Sequence, residues 1–229
     1  MKRAEKKLNS GRPVKRLLVM IFGLWFFSTP IWAEEDVFRF PLNPETMNAF
    51  NATSGRLAEH SITIGSFEQE KTLSRLNRSL KSSGNFIIAV ELGMVWDTQK
   101  PFPSTMALGK DYLVQSRPGG QKTVLSAQGN ETFIRLAEVI STVFSGHTQR
   151  LLDNFEVYYL GSASGWELGL LPKDKAIASF AVRITMKGDS AIRSILINEQ
   201  NGDVISYNLS NHSYPSELAP NERSFFTVP

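Results

Sequence analysis

The chain has 229 residues, of which 41% are apolar and 21% are charged, and it contains no cysteine. This composition favours a single globular domain and argues against a disordered, collagenous or disulfide-stapled chain. The net charge of +3 comes from the first 33 residues, which hold seven basic side chains against Glu5 alone; the rest, with 18 basic and 21 acidic residues, predicts no nucleic-acid partner.

Residues 1–33 have the order of a secretory signal peptide. A basic stretch leads into an apolar run of 11 residues, 17–27, and then to Ala33 and three acids. That run is shorter than the ~20 residues that span a bilayer. We therefore predict cleavage after Ala33 and a mature domain over 34–229, with an uncleaved inner-membrane anchor as the alternative. An exported chain without cysteine fits a bacterial periplasm.

The first half of the mature chain predicts one helix followed by strands. Asn43, Pro44 and Glu45 provide an N-cap, a proline at the first helical position and an early acid. The apolar residues that follow at helical spacing are Met47, Phe50 and Leu57. From Ser61 the period becomes two, and an irregularity at Gly65-Ser66 predicts a long strand with a bulge. Further strands are predicted over residues 84–90, 94–98, 105–108 and 112–116.

The second half predicts another helix and then an antiparallel meander. Asn130 is placed to cap a helix that Gly146 ends. One side of this helix carries Phe133, Leu136, Ile140 and Phe144. Strands are predicted near residues 155–160, 166–171, 180–186, 192–197 and 204–209. Gly and Asn at their joints accept positive φ, as tight hairpins require, so these strands are antiparallel. One antiparallel sheet with two helices predicts a single α+β domain.

The sequence has no pattern typical of an enzyme, a metal site or a nucleotide cofactor. Its three histidines, His60, His147 and His212, have no ligand spacing, and no thiol is available. In the segment 161–165 the centre of the G-x-S-x-G frame is Ala163, so a hydrolase nucleophile is missing. We therefore predict a non-enzyme with no catalytic residue, no cofactor and no metal.

Three predicted strands are apolar at both alternating positions, whereas a sheet with one solvated face alternates cleanly. They lie at residues 85–90, 93–96 and 167–171. In one explanation, one face packs on helices and the other lies under a loop. In the other, a curved sheet roofed by helices encloses a cavity for a long apolar ligand. Alternation alone does not separate the two.

Four segments carry motifs that occur in a fixed order. They are residues 66–71 with an F-x-Q-x-K signature, 80–86, 93–96 and 100–104. In order and spacing they resemble the LolA family of periplasmic outer-membrane lipoprotein carriers. The ending, residues 209–225, is similar to LolA-related proteins encoded near aryl-polyene or polyketide-like pathways. The resemblance covers most of the mature chain.

The resemblance implies an unclosed antiparallel β-barrel, that is, one highly curved sheet around an apolar cavity with helices as a lid. Such carriers are monomeric chaperones that take lipoproteins from an inner-membrane ABC transporter and deliver them to an outer-membrane receptor. A sixteen-carbon acyl chain exposed to water costs on the order of 10 kcal/mol at ~0.8 kcal/mol per CH₂. Protein transport of this kind therefore needs a lipid-binding shield, without covalent chemistry.

Eight apolar strand residues are expected to line the cavity. Trp96 corresponds to the family's strand tryptophan, and the two-residue period of a strand selects its neighbours. The expected lining residues are Phe86, Ile88, Met94, Trp96, Phe180, Val182, Ile184 and Met186.

One departure from the family concerns the lid. The family has an arginine a few residues before the tryptophan that helps to hold the lid, and residues 90–95 contain none. Either the lid is held in another way, or the cargo differs and is a free lipid or an acyl product of a neighbouring pathway. A separate alternative to lipoprotein transport is an envelope lipid-sensing regulator on the same scaffold.

Overall fold

The computed structural model describes residues 36–109, 112–120, 122–125 and 131–227. The predicted signal peptide and the predicted cap Asn130 lie outside these residues. The strands of the described part are β1 (Ile62–Leu73), β2 (Arg78–Ala89), β3 (Gly93–Lys100), β4 (Ser104–Leu108), β5 (Leu113–Ser116), β6 (Thr123–Leu125), β7 (Phe155–Ser162), β8 (Gly165–Pro172), β9 (Ala181–Gly188), β10 (Ile192–Glu199) and β11 (Val204–Ser213).

These strands form one antiparallel sheet in the order β6-β5-β4-β3-β2-β1-β11-β10-β9-β8-β7. The strands β6 and β7 lie at opposite edges, so the sheet stays open, as the α+β prediction of an unclosed barrel requires. The predicted bulge is confirmed, because the register of β1 against β11 shifts between Ile64 and Ser66. The strand β2 begins six residues earlier than the sequence predicts and forms a long hairpin with β1.

The helices of the described residues are α1 (Pro44–Leu57), α2 (Glu131–Phe144), α3 (Thr148–Asn154), α4 (Lys175–Ala178) and α5 (Pro220–Arg223). The predicted start of α1 is confirmed, because the Asn43 side chain accepts hydrogen bonds from the backbone N–H groups of Glu45 and Thr46 at 2.9 Å each. The predicted end of α2 is also confirmed, since Gly146 adopts a φ of +67° just beyond it. Three helices, α3, α4 and α5, and the short strand β6 were not predicted from the sequence.

The inner face of the sheet, which carries Phe86 and Trp96, packs against α1 and α2 in one large apolar cluster. On α1, the Phe50 ring meets Tyr159 edge-on at 5.7 Å between centroids. The Tyr159 hydroxyl lies 2.8 Å from the Thr53 hydroxyl. These contacts hold α1 against the β7 side of the sheet and leave the β3–β5 side to α2.

The outer face is covered by the two ends of the described chain. Leu218 and Phe226, from the segment around α5, pack on Val95 and its neighbours on β2 to β4. On β8, a Cβ at Gly169 would lie 2.8 Å from a methyl group of Val37, so a 3₁₀ turn over Val37–Arg39 presses against the backbone there. The outward-facing apolar residues of these strands therefore lie under connecting segments of the chain. This is the first of the two explanations that the sequence left open.

Removing the Phe226 ring tests this outer cover. Phe226 is 8% exposed, so Phe226→Ala leaves a hole over β2 and β3 and should lower the free energy of unfolding by about 3 kcal/mol in urea. The matched control is Phe102→Ala, because Phe102 is 82% exposed and its loss should change stability by less than about 0.5 kcal/mol. Equal effects of the two substitutions would show that the segment does not cover the sheet.

Candidate functional site

The middle of the inner face is filled by the protein's own aromatic side chains. Trp96 stacks on Phe67 and on Phe86, with ring centroids 4.4 Å and 5.8 Å apart. Tyr207 meets the Trp96 ring edge-on at 5.3 Å. Phe67 and Phe86 are fully buried. These rings pack directly on one another, so any binding space lies beside the stack and not within it.

A cavity of about 560 Å³ lies between α2 and the strands β3 to β5. Its lining is mixed: the apolar residues include Met94, Leu113 and Ala137, and the charged residues include Glu138 and Arg150, the latter from α3. Its volume falls within the ~300–1,000 Å³ of ordinary small-molecule sites. The inner face is therefore packed around the aromatic stack and open beneath α2.

A second cavity of about 220 Å³ adjoins the first, because Met94 and Ala137 line both. Trp96, Met106 and Ile140 complete its apolar wall. Methionine adapts easily to an irregular guest, since its side chain is unbranched and polarisable. The two cavities thus share α2 as part of their walls.

The second cavity has a polar end as well as an apolar wall. The residues at that end are Gln69, Thr98, Ser104 and Tyr207. The Gln69 side-chain oxygen accepts a hydrogen bond from the Ser82 hydroxyl at 3.0 Å. Burial raises the pKa of Tyr207 above its usual range, and the negative charge of Glu199 adds to the effect. The Tyr207 phenol therefore stays neutral at physiological pH, and this end offers neutral donors and acceptors to a ligand.

The F-x-Q-x-K motif lies on β1, where its three residues point to the inner face at alternate positions. Phe67 belongs to the aromatic stack and Gln69 to the polar end of the second cavity. The Lys71 ammonium forms ion pairs with Glu199 at 2.6 Å and Asp203 at 3.8 Å, which ties β1 to the β10–β11 turn. The motif therefore combines packing, cavity lining and a structural ion pair.

The structure separates the eight residues that the sequence analysis grouped together. Met94 and Trp96 line the cavities. The four that lie in the filled core are Phe86, Ile88, Ile184 and Met186. Phe180 is half-buried against that core.

Val182 does not share the inward face of Ile184 and Met186, and that part of the interpretation was wrong. It is 47% exposed because β9 bulges there: Asn198 and Glu199 of β10 pair with Arg183 and Ala181, leaving Val182 without a partner. The bulge reverses the alternation, so the small Ala181 points inward instead.

Several cavity residues were not identified as such from the sequence. Met106 lies on a predicted strand and Ile140 on the predicted apolar stripe of α2, so both carried a signal of burial but none of an adjacent void. Gln69 was visible only as a motif residue. Ala137, which lines both cavities, is too ordinary a helix residue to attract notice.

Over the described ranges, no group of three or more His, Asp or Glu side chains comes together as a metal site. Among the same residues, no helix has the length and apolar character needed to cross a membrane. The arrangement supports the burial of apolar groups, with neutral hydrogen bonds in the second cavity and charged groups beside the first.

A family model described as outer membrane lipoprotein carrier protein LolA matches residues 60–225 of the chain. The match includes the segments of β1 to β4 that carry the motifs and ends beside the outer cover at Phe225. No curated protein is similar enough in sequence to this chain to count as a match.

Solved structures give weaker similarities. A LolA superfamily protein from Nitrosomonas europaea has 9% identity and a TM-score of 0.46, covering 79% of this chain and 97% of its own. The Pseudomonas aeruginosa MucA/MucB complex has 11% identity and a TM-score of 0.45, with 79% of this chain and 61% of the other chain covered. Lipoprotein LppX from Mycobacterium tuberculosis has 10% identity and a TM-score of 0.40, with 77% of this chain and 100% of the other chain covered. These similarities are too low to carry an argument about function.

Two alanines of equal burial distinguish open space from filled core. Ala137 borders both cavities and Ala181 lies in the core, and each is 1% exposed. Ala181→Phe should overpack and cost about 1–3 kcal/mol in urea unfolding, whereas Ala137→Phe should cost less because its ring enters the void. Ala137→Phe should also reduce the fluorescence of a bound hydrophobic dye. Equal losses of stability, with dye binding unchanged, would mean that no usable void exists beneath α2.

Proposed function

We propose that this chain, which belongs to the LolA family of outer membrane lipoprotein carrier proteins, binds acyl chains in the two cavities beneath α2. The observation that carries the proposal is open space on the inner face, with a mainly apolar wall in the second cavity and a mixed lining in the first. Filling such a space with hydrocarbon contributes about 0.8 kcal/mol per CH₂. Binding and release, without covalent chemistry, make up the whole mechanism.

The lining of the cavities supports a carrier that must also release its cargo. Met94 and Met106 adapt to different chains, and Trp96 provides a rigid wall held by the aromatic stack. Because α2 roofs both cavities through Ala137, its displacement would expose the cargo. The polar end at Gln69 and Tyr207 suits the ester or amide group at the head of an acyl chain.

The finer proposal is that the protein is exported by a signal peptide at residues 1–33 and works in the periplasm. There it would receive acylated lipoproteins from an inner-membrane ABC transporter and pass them to an outer-membrane receptor. The family's description as an outer membrane lipoprotein carrier supports the cargo and the destination of this route. One sequence feature favours a different cargo, since residues 90–95 lack the arginine that the family uses at its lid. A free lipid or an acyl product of a neighbouring pathway is therefore the second candidate.

Photo-crosslinking in cells tests the proposal. A crosslinking amino acid in place of Trp96, beside the second cavity, should form adducts that carry acyl groups by mass spectrometry. The matched control replaces Leu196, which is 37% exposed on β10 and lines neither cavity, and should give no such adducts. An acylated peptide supports the lipoprotein cargo and a free acyl lipid supports the alternative. Adducts without acyl groups, or equal acyl labelling from both positions, would contradict acyl carriage.

A further inference from the structure

The most exposed apolar side chains of the described residues gather at one end of the sheet. Phe102, Leu76 and Leu80 are 82%, 65% and 58% exposed, more than any other large apolar side chain in the described ranges. Leu76 and Leu80 belong to the β1–β2 turn and its flank, and Phe102 to the β3–β4 turn. We call this the hairpin end: the end of the sheet that carries these two turns.

Strand register places the three side chains along one hairpin, with Phe102 beside its middle, Leu80 beyond it and Leu76 at its tip. Lys100 pairs with Ser83, so the β3–β4 turn lies beside β2. Beyond that pair, residues 78–82 of β2 continue without a partner in β3. Leu80 pairs with Lys71, and cross-strand partners point to the same face, so Leu80 lies on the inner face beyond the polar end of the second cavity.

Exposed charge at the hairpin end is positive. Residues 73–82 contain Arg75, Arg78 and Lys81 and no acid, and Lys100 begins the neighbouring turn. Glu68, which pairs with Ser83, is exposed at the base of this end, and the other acids here are engaged in local contacts. Glu70 lies 3.6 Å from Lys81. Glu199 and Asp203 pair with Lys71, and Asp203 also accepts the backbone N–H of Ser74 at 2.9 Å. The mature chain as a whole carries more acidic than basic residues, so this concentration of cations is local.

We propose that the hairpin end docks on an anionic lipid surface. Exposed leucine and phenylalanine interleaved with arginine and lysine match the two layers of such a surface, hydrocarbon below and phosphate above. The Ser74–Asp203 contact anchors the base of the turn, so Leu76 is presented from a fixed support. Docking in this orientation directs the polar end of the second cavity toward the lipid. This docking surface is separate from the acyl-binding cavities, and docking does not depend on which cargo they bind.

Vesicle flotation tests the contribution of the positive side chains at the hairpin end. The sample is the exported protein, recovered in soluble form. The wild type should bind vesicles containing phosphatidylglycerol, bind pure phosphatidylcholine weakly, and lose affinity as salt rises. Arg75→Gln/Arg78→Gln should weaken binding roughly thirtyfold, at about fivefold for each cation. The control Arg39→Gln/Arg223→Gln has the same net charge, with both arginines exposed away from the hairpin end, and should bind like the wild type.

The contribution of the exposed apolar side chains is tested by the double variant Leu76→Ser/Phe102→Ser, which should weaken vesicle binding at least ~tenfold. The control is Val182→Ser/Leu196→Ser, which changes exposed apolar residues on β9 and β10 and should bind like the wild type. Unchanged unfolding midpoints check that each variant folds. Binding that is equal on both lipids, or equal between each pair of variants, would overturn the proposal. Displacement of a cavity-bound hydrophobic dye by palmitate separates this proposal from the carrier function. Displacement should be normal in the hairpin-end variants. If palmitate displaced no dye from the wild type, the carrier function would be contradicted and the docking proposal would not.

Discussion

A sheet with apolar side chains on both faces must be covered twice, and this constraint organises the described structure. The outer cover comes from the segment around Phe226, which packs on apolar side chains of β2 to β4, and from the turn at Val37, which presses against the backbone of β8. The inner cover is divided, with α1 on the β7 side and α2 on the β3–β5 side. The aromatic stack fills the centre, and the space beside it stays open under α2. Such a gap forfeits van der Waals contacts, which is a stability cost that ligand binding would remove.

Much of the architecture follows from local patterns in the sequence. The cap at Asn43, the bulge after Ile64 and the hairpin turns of the meander are short-range chemistry, and each prediction made from them is confirmed. Alternation also identifies the inner face of β2 and β3 correctly. It fails at Val182, because a bulge that depends on the pairing of β9 with β10 reverses the pattern and leaves no local trace.

The cavities could not be predicted from the sequence, because apolar periodicity indicates which side chains are buried but not whether the space around them is filled. Met94 and Met186 are both almost fully buried and have similar sequence patterns, yet one borders open space and the other is surrounded by core. Which of them faces a void depends on where α2 lies relative to the sheet, and that is set by contacts between distant segments. The F-x-Q-x-K motif shows the same limit: a pattern of three residues marks the strand, whereas the separate contacts of Phe67, Gln69 and Lys71 are visible only in three dimensions.

The central claim is that an acyl chain enters the space beneath α2 and leaves the packed core undisturbed. Isotopically labelled methionine methyl groups test it most directly, since Met94 and Met106 line the cavities while Met186 lies in the core. On titration with palmitate, the methyl resonances of Met94 and Met106 should shift and saturate together, and that of Met186 should stay in place. Shifts of all three, or of none, would contradict a preformed acyl cavity at this site.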